Sequence, residues 1–324
     1  MRAAFYERTG AAREVLVLGE LPTPEPGPGE VRVKLATSGV NPSDVGLRTK
    51  TLPFPRIVPH SDGAGVIDAV GAGVPRARVG ERVWTWNAAW KRPFGTAAEY
   101  VVLPSEQAVR LPDRVPFDVG ACLGIPALTA LHAVRMDGGV AGKTVLVTGG
   151  AGAVGHYAIQ MAKLSGAEQV ITTVSNAHKA AVAEQAGADL VLDYRSDDVA
   201  ARVLEATDGE GAERVIDVDF AANVNESLTA VRQEGDIVVY GSGKPEIAVP
   251  FFPAIVKNVR LRFFIVYNLT PEDRAAAIAQ LTRWLEQDRL KHLIAARLPL
   301  ARIAEAHELV ESGRAVGKVV LEIA

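Results

Sequence analysis

The strongest constraint on this chain lies near its middle. The apolar run Val145-Leu146-Val147 enters Thr148-Gly149-Gly150-Ala151-Gly152-Ala153-Val154-Gly155, and then the helical pattern His156-Tyr157-Ala158-Ile159-Gln160-Met161-Ala162. A strand that passes through a glycine-rich turn into a helix start is built to hold a dinucleotide pyrophosphate. The glycines let backbone N–H groups approach the phosphates, the helix dipole favours negative charge, and small residues let the helix pack on its strand. An ordinary tight turn can carry the same glycines; the order strand, turn, helix is what marks a nucleotide site.

The flanking pattern extends this architecture. From about residue 124, strands over 144–148, 169–174, 190–192, 214–218 and 237–240 alternate with helices near 154–164, 177–185, 197–206 and 224–231. That alternation predicts a parallel sheet covered by helices on both faces. Residues 1 to about 123 read instead as β-rich, with Val31-Arg32-Val33-Lys34 alternating and apolar runs at Gly65-Val66-Ile67 and Tyr100-Val101-Val102-Leu103. A proline- and glycine-rich loop at 22–29 punctuates them. Thr270-Pro271-Glu272-Asp273 is a helix start with a threonine cap, proline in the first turn and an acid at the capping-box position, after which Ile278, Leu281 and Leu285 share a face. A helix from 303 to about 312 stops at Gly313, and 318–323 is a terminal strand.

The stretch Val259-Arg260-Leu261-Arg262-Phe263-Phe264-Ile265-Val266 reads as the last strand of the parallel sheet, and its alternation of arginine with large apolar residues suits an edge. An unpaired apolar edge invites pairing, so a homodimer through this strand is expected.

With 324 residues, the chain has the length of about two domains. A formal net charge of -3 gives no electrostatic reason to expect nucleic acid or an anionic membrane. The lone cysteine, Cys122, rules out an intrachain disulfide and a cysteine zinc cluster. The first residues are too polar for a signal peptide and no stretch is long and apolar enough to span a membrane, so a cytoplasmic protein is expected. His132 and Cys122 lie in apolar surroundings and His156 opens a helix, so packing or capping is the expected role of all three.

An acidic residue about 20 positions beyond the glycines would bind the ribose 2′-OH of the unphosphorylated dinucleotide. Here the strand ending at Val174 runs into Ser175-Asn176-Ala177-His178-Lys179, with no carboxylate to repel a 2′-phosphate. Lys179 can pair with that phosphate, and Tyr194 and Arg195 after the next strand can donate to it. A solvated helix lysine is the alternative for Lys179; the missing acid favours NADPH.

At this point the chain resembles the zinc-independent medium-chain dehydrogenase/reductases, and within them the NADPH:quinone oxidoreductases of zeta-crystallin type. The matching segments are Ser38-Gly39-Val40-Asn41-Pro42-Ser43-Asp44, Asp62-Gly63-Ala64-Gly65-Val66-Ile67, Gly95-Thr96-Ala97-Ala98-Glu99-Tyr100, Gly124-Ile125-Pro126-Ala127-Leu128-Thr129-Ala130, the glycine turn, Ala221-Ala222-Asn223-Val224-Asn225, Ala306-His307-Glu308 and Gly317-Lys318. The resemblance implies an α/β protein: a GroES-like β-rich catalytic domain from residues 1–123 and 267–324, and a Rossmann doubly wound domain at 124–266, with the active site in the cleft between them.

Zinc-binding relatives use Cys, His and Glu or Asp ligands. This chain has Ser61 where their histidine would fall, Asn41 and Asp44 in place of their cysteine segment, and His60 one position out of place in a loop, so no metal is expected. Carried over by position, the resemblance implies Asn41, Arg48 and Thr129 for catalysis, with Asn41 and Thr129 beside the nicotinamide. Gly152, Ala153 and Val154 would hold the pyrophosphate, and Ser175, Lys179 and Tyr194 the 2′-phosphate end. Gly241 and Ser242 would line the nicotinamide ribose, and Arg314 would reach the adenosine phosphate. For Asn41 the other reading is a turn asparagine before Pro42 that caps its own backbone.

Many relatives carry a tyrosine two residues beyond the position of Asp44, where this chain has Gly46, so a phenol that could orient or protonate substrate is missing. Trp84, Trp86 and Trp90, of four tryptophans in the chain, either roof a pocket for a planar ring or cover the β-domain core. The expected activity is reduction of a quinone by NADPH. The alternatives are reduction of an enone or alkenal C=C bond, and a non-catalytic NADPH-binding role in structure or RNA binding.

Overall fold

A computed structural model describes residues 1–323. The chain divides into one unit made of Met1–Pro126 and Thr282–Ala324 and a second of Ala127–Leu281. The second boundary lies further along than residue 267 and falls within the helix Pro271–Glu286. Thr270 caps that helix through Asp273 N–H at 3.1 Å, and its buried face is Arg274, Ala277, Leu281, Trp284 and Leu285, with Ile278 only half-buried.

The first unit is built on a seven-stranded sheet. In space the strands run Ile294–Pro299, Lys318–Glu322, Glu30–Val40, Asp62–Val70, Arg82–Thr85 and Ala108–Arg110, with Tyr100–Pro104 also on Glu30–Val40. Glu30–Val40 is the hub, antiparallel to three partners. Alternation on it sends Val31, Val33 and Leu35 into a core shared with Ile67, Val83, Leu103, Val319 and Leu321. At the end of this strand Gly39 stands opposite Asp62 and Val40 opposite Val319. That register brings Asn41, Asp62 and Lys318, far apart in the chain, to one corner of the sheet.

The second unit holds a six-stranded, all-parallel sheet in the spatial order Leu190–Asp193, Gln169–Val174, Thr144–Val147, Ala212–Asp217, Val231–Val239, Arg260–Phe263. Numbered within the unit this is 3-2-1-4-5-6, the doubly wound dinucleotide order, whose switch point lies beside the first strand. The helices between the strands span Ala153–Leu164, Ala177–Gln185, Val199–Glu205, Phe220–Ala230 and Phe251–Val256. The last strand is shorter than the expected stretch, Arg260–Phe263, and forms the open edge, with Phe263 59% exposed.

Candidate active site

The glycine turn joins the strand Thr144–Val147 to the helix Ala153–Leu164, with Gly152 as its N-cap residue. Gly149 has φ +73°, the left-handed region that a side chain disfavours. A Cβ on Gly155 would lie 2.2 Å from the Gly149 carbonyl oxygen, so the helix can approach the turn this closely only with glycine there. A Cβ on Gly152 would meet only the Gly149 oxygen, at 3.2 Å. The N-terminus of the helix, at Gly152, Ala153 and Val154, is thus presented for an anion, and the turn fits a dinucleotide pyrophosphate.

Two strands away in the same direction, the register places Asp193 beside Val174, and Tyr194 N–H donates to the Val174 carbonyl at 3.1 Å. Ser175 and Tyr194 therefore emerge side by side. Ser175 is buried, Tyr194 is 51% exposed, and Asn176 caps the next helix by accepting from Lys179 N–H at 3.0 Å. Lys179 thus sits in the first turn of Ala177–Gln185, half-buried and without an ion-pair partner among the described residues. On the other side of the switch point, Gly241 and Ser242 line an open pocket of about 700 Å³ together with His132, Lys244, Phe264 and Asp273. Ser242 Oγ donates to the Lys244 carbonyl at 2.6 Å. Thr129 is buried in the first turn of the helix Leu128–Arg135.

In the first unit, Asn41 is 2% exposed and caps the helix Pro42–Lys50, with its backbone N–H donating to Asp44 Oδ2 at 2.8 Å. Its carboxamide also bonds outward from the cap. Nδ2 donates to Asp62 Oδ2 at 2.9 Å, Oδ1 accepts from Lys318 Nζ, and Lys318 Nζ also donates to Asp62 Oδ2 at 2.8 Å. Lys318 and Asp62 are 3% and 0% exposed, an ion pair sealed from water. Burial pushes the Asp62 carboxyl up, and the Lys318 ammonium opposes that shift. Burial also raises Asp44, to about 7. Removing one partner from such a pair typically costs about 3–5 kcal/mol, because the other charge stays buried.

Sequence reasoning had both Asp62 and Lys318 within matching segments but assigned neither a role. The available signal was a lysine opening a strand, Lys318–Glu322, whose next three residues are all apolar.

Arg48 is wholly buried, donating to the Gly10 carbonyl and to Glu311 Oε2 at 3.0 Å. Its two terminal nitrogens tie a loop and a C-terminal helix to Pro42–Lys50, while Nε is buried without a partner. Arg314 is exposed, with Nε on Ser312 Oγ at 3.2 Å. Trp84 is fully buried in the β-unit, whereas Trp86 and Trp90 are half-buried. His60, in its loop, is buried against Ser38 and His307. Cys122 is buried, its thiol on the Asp118 carbonyl at 3.3 Å, and His156 packs inside its helix with Gln160.

Ser61 Oγ accepts from Ala89 N–H at 3.3 Å, and among the described residues no group of three His, Cys, Asp or Glu side chains is arranged to hold a metal ion.

A dinucleotide turn at the switch point of a parallel sheet, joined in one chain to a GroES-like unit, defines an NAD(P)-dependent oxidoreductase. Residues 27–113 match the family model described as alcohol dehydrogenase GroES-like domain, and residues 153–283 the one described as zinc-binding dehydrogenase. A quinone oxidoreductase of Pseudomonas aeruginosa is 34% identical over 95% of both chains. Among solved structures, an NAD-dependent alcohol dehydrogenase superposes with a TM-score of 0.91 at 33% identity, covering 100% of both chains. A mycobacterial protein in complex with NADPH superposes at 0.89, also at 33% identity and complete coverage. The chain belongs to the medium-chain dehydrogenase/reductase family.

Proposed function

We propose that this chain is an NADPH-dependent quinone oxidoreductase that works without zinc. Its main support is the end of the strand Gln169–Val174, where Ser175 and Tyr194 emerge side by side, Lys179 lies in the first turn of the next helix, and the segment 175–179 carries no carboxylate to repel a 2′-phosphate. The quinone comes from the Pseudomonas aeruginosa relative and from the room at Gly46, where an added Cβ would meet nothing within 4 Å. Zinc does not suit the donors: Asn41 and Asp62 are already bonded to the Lys318 ammonium, and Ser61 replaces a histidine.

When bound, the reduced dinucleotide supplies a hydride. The chain supplies position and polarity. Gly152, Ala153 and Val154 hold the pyrophosphate on the helix terminus, while Gly241 and Ser242 border the ribose that carries the nicotinamide. Thr129 contacts the nicotinamide, and Asn41 polarises an oxygen of the acceptor through Nδ2. Transfer requires the reacting carbons to be held about 3–3.5 Å apart with water excluded. A quinone oxygen, once reduced, takes its proton readily, so no dedicated acid is required.

The edge strand Arg260–Phe263, with Phe251, Phe252, Phe263 and Ile265 exposed nearby, supports a homodimer. A cytoplasmic setting accords with the single, free Cys122, and no described helix is long and apolar enough to cross a membrane.

The test is oxidation of NADPH and NADH, followed by absorbance, with a quinone and with an α,β-unsaturated ketone. Fast NADPH oxidation with the quinone alone is expected. Activity with the enone alone would reassign the protein to C=C reduction, and silence in every pairing would favour a binding role.

A further inference from the structure

The carboxamide of Asn41 is held at both ends by one buried ion pair. Lys318 Nζ donates to Oδ1, and Nδ2 donates to Asp62 Oδ2 at 2.9 Å. The flipped amide is excluded, because it would face the ammonium with N–H groups and the carboxylate with an oxygen. The other N–H is held only weakly: it points to the Gly39 carbonyl at 3.5 Å, at the limit of a hydrogen bond, with the Asp44 carboxylate beside it. The backbone is fixed as well, through Asn41 N–H on Asp44 Oδ2 at 2.8 Å. There is little slack around the ammonium, since a Cβ on Gly39 would lie 2.7 Å from Lys318 Cε.

We infer that Lys318, together with Asp62, is a positioning residue that makes Asn41 a donor-only contact for the acceptor. A free asparagine offers a donor and an acceptor and can exchange them by rotation. Here the oxygen is turned to the ammonium, so the weakly held N–H is what the site can offer, and it selects a group that accepts: a carbonyl or quinone oxygen. The pair carries no net charge, so it orients the amide without adding a net charge to the site. Orientation is what hydride transfer needs, because a misplaced acceptor loses the near-attack geometry. The inference rests on the reading of Asn41 as a substrate contact.

The experiment is a double-mutant cycle on Asn41→Ala and Lys318→Met, with quinone turnover, NADPH affinity and thermal melting measured for each. Asn41→Ala is expected to lower kcat about tenfold or more, and Lys318→Met to match it with NADPH affinity within about twofold. The double variant should be no slower than Asn41→Ala alone. If Lys318→Met does not fold, Asp62→Asn/Lys318→Gln, which keeps the hydrogen bonds and drops both charges, takes its place, and it should retain most of the wild-type kcat. The side-chain amide protons of Asn41, identified by their loss in Asn41→Ala, should be sharp in the wild type and broadened by rotation in Lys318→Met.

Wild-type turnover in Asn41→Ala overturns the substrate-contact reading and the inference with it. Slow Asn41→Ala beside fast or fully additive Lys318→Met, unchanged amide signals in Lys318→Met, or an inactive, folded Asp62→Asn/Lys318→Gln overturns the inference alone.

Discussion

His307 Nε2 lies 2.9 Å from His60 Nε2, and the two buried rings stack with centroids 5.1 Å apart. The proton order follows from their neighbours. Thr96 Oγ1 donates its one proton to the Asp62 carbonyl at 2.6 Å, so Ser38 Oγ donates to Thr96 at 2.8 Å and must accept from His60 Nδ1 at 2.8 Å. His60 Nε2 is then bare and accepts from His307 Nε2–H. His307 Nδ1 is left as a buried lone pair without a partner. Every bond in the series points one way, toward the backbone of Asp62.

Acid should break this series. Burial holds His60 well below its ordinary range and pushes His307 down to about 3. A folded pKa below the unfolded value means that the contribution to stability is complete above about 6.5 and is lost as pH falls toward the folded value. His307→Gln removes one titrating ring and keeps a donor for His60. Its melting temperature should fall less than the wild type's between about pH 7 and pH 4.5. Asp44, raised to about 7, acts in the opposite direction, but equally in both proteins. Parallel falls in the two proteins would refute the assignment.

Lys179→Ala should weaken NADPH binding about ten- to a hundredfold, the worth of one charge-assisted hydrogen bond of roughly 1.5–3 kcal/mol. NADH binding should stay within about twofold, since NADH has no 2′-phosphate. Titration of cofactor fluorescence decides it; an equal loss for both cofactors would return Lys179 to an ordinary surface lysine.

Gly155→Ala should damage the turn. Its Cβ would stand 2.2 Å from a backbone oxygen that cannot rotate away, so the helix must shift from the strand. A stability loss of about 1–3 kcal/mol is expected, together with weaker binding of both dinucleotides. A chemical melt and a cofactor titration that both match wild type would show that the turn yields without cost.

Gly46 should behave oppositely. It lies inside the helix Pro42–Lys50 with open space beyond, so Gly46→Ala should raise stability by about 0.5–1 kcal/mol and leave turnover alone. Gly46→Tyr should slow large acceptors more than small ones. Equal turnover across acceptor sizes would show that position 46 faces away from the substrate.

The second unit was legible in the sequence because its signals are local: the turn, the alternation and the Asn176 cap each span a few residues. The corner formed by Asn41, Asp62 and Lys318 was not. Lys318 meets Asp62 across 256 positions and His60 meets His307 across 247, and only the register of Glu30–Val40 makes these pairs neighbours. The ion pair of the buried Arg48 was hidden for the same reason. Its motif position pointed to chemistry, while its partner Glu311 lies 263 positions away in a helix that motif reading does not place beside it.

The threading of the first sheet sets an order on synthesis. Lys318–Glu322 inserts between Ile294–Pro299 and Glu30–Val40, so a ribosome must deliver the last strand before an early sheet can close. At about 5–20 residues per second, the 256 positions from Asp62 to Lys318 take roughly 13–50 s. During that interval the nascent chain carries an unfinished sheet, while the intervening unit, whose strands are all emitted in one run, has everything it needs to fold. The amino-terminal segment is the part exposed to chaperones and proteases until Lys318–Glu322 arrives.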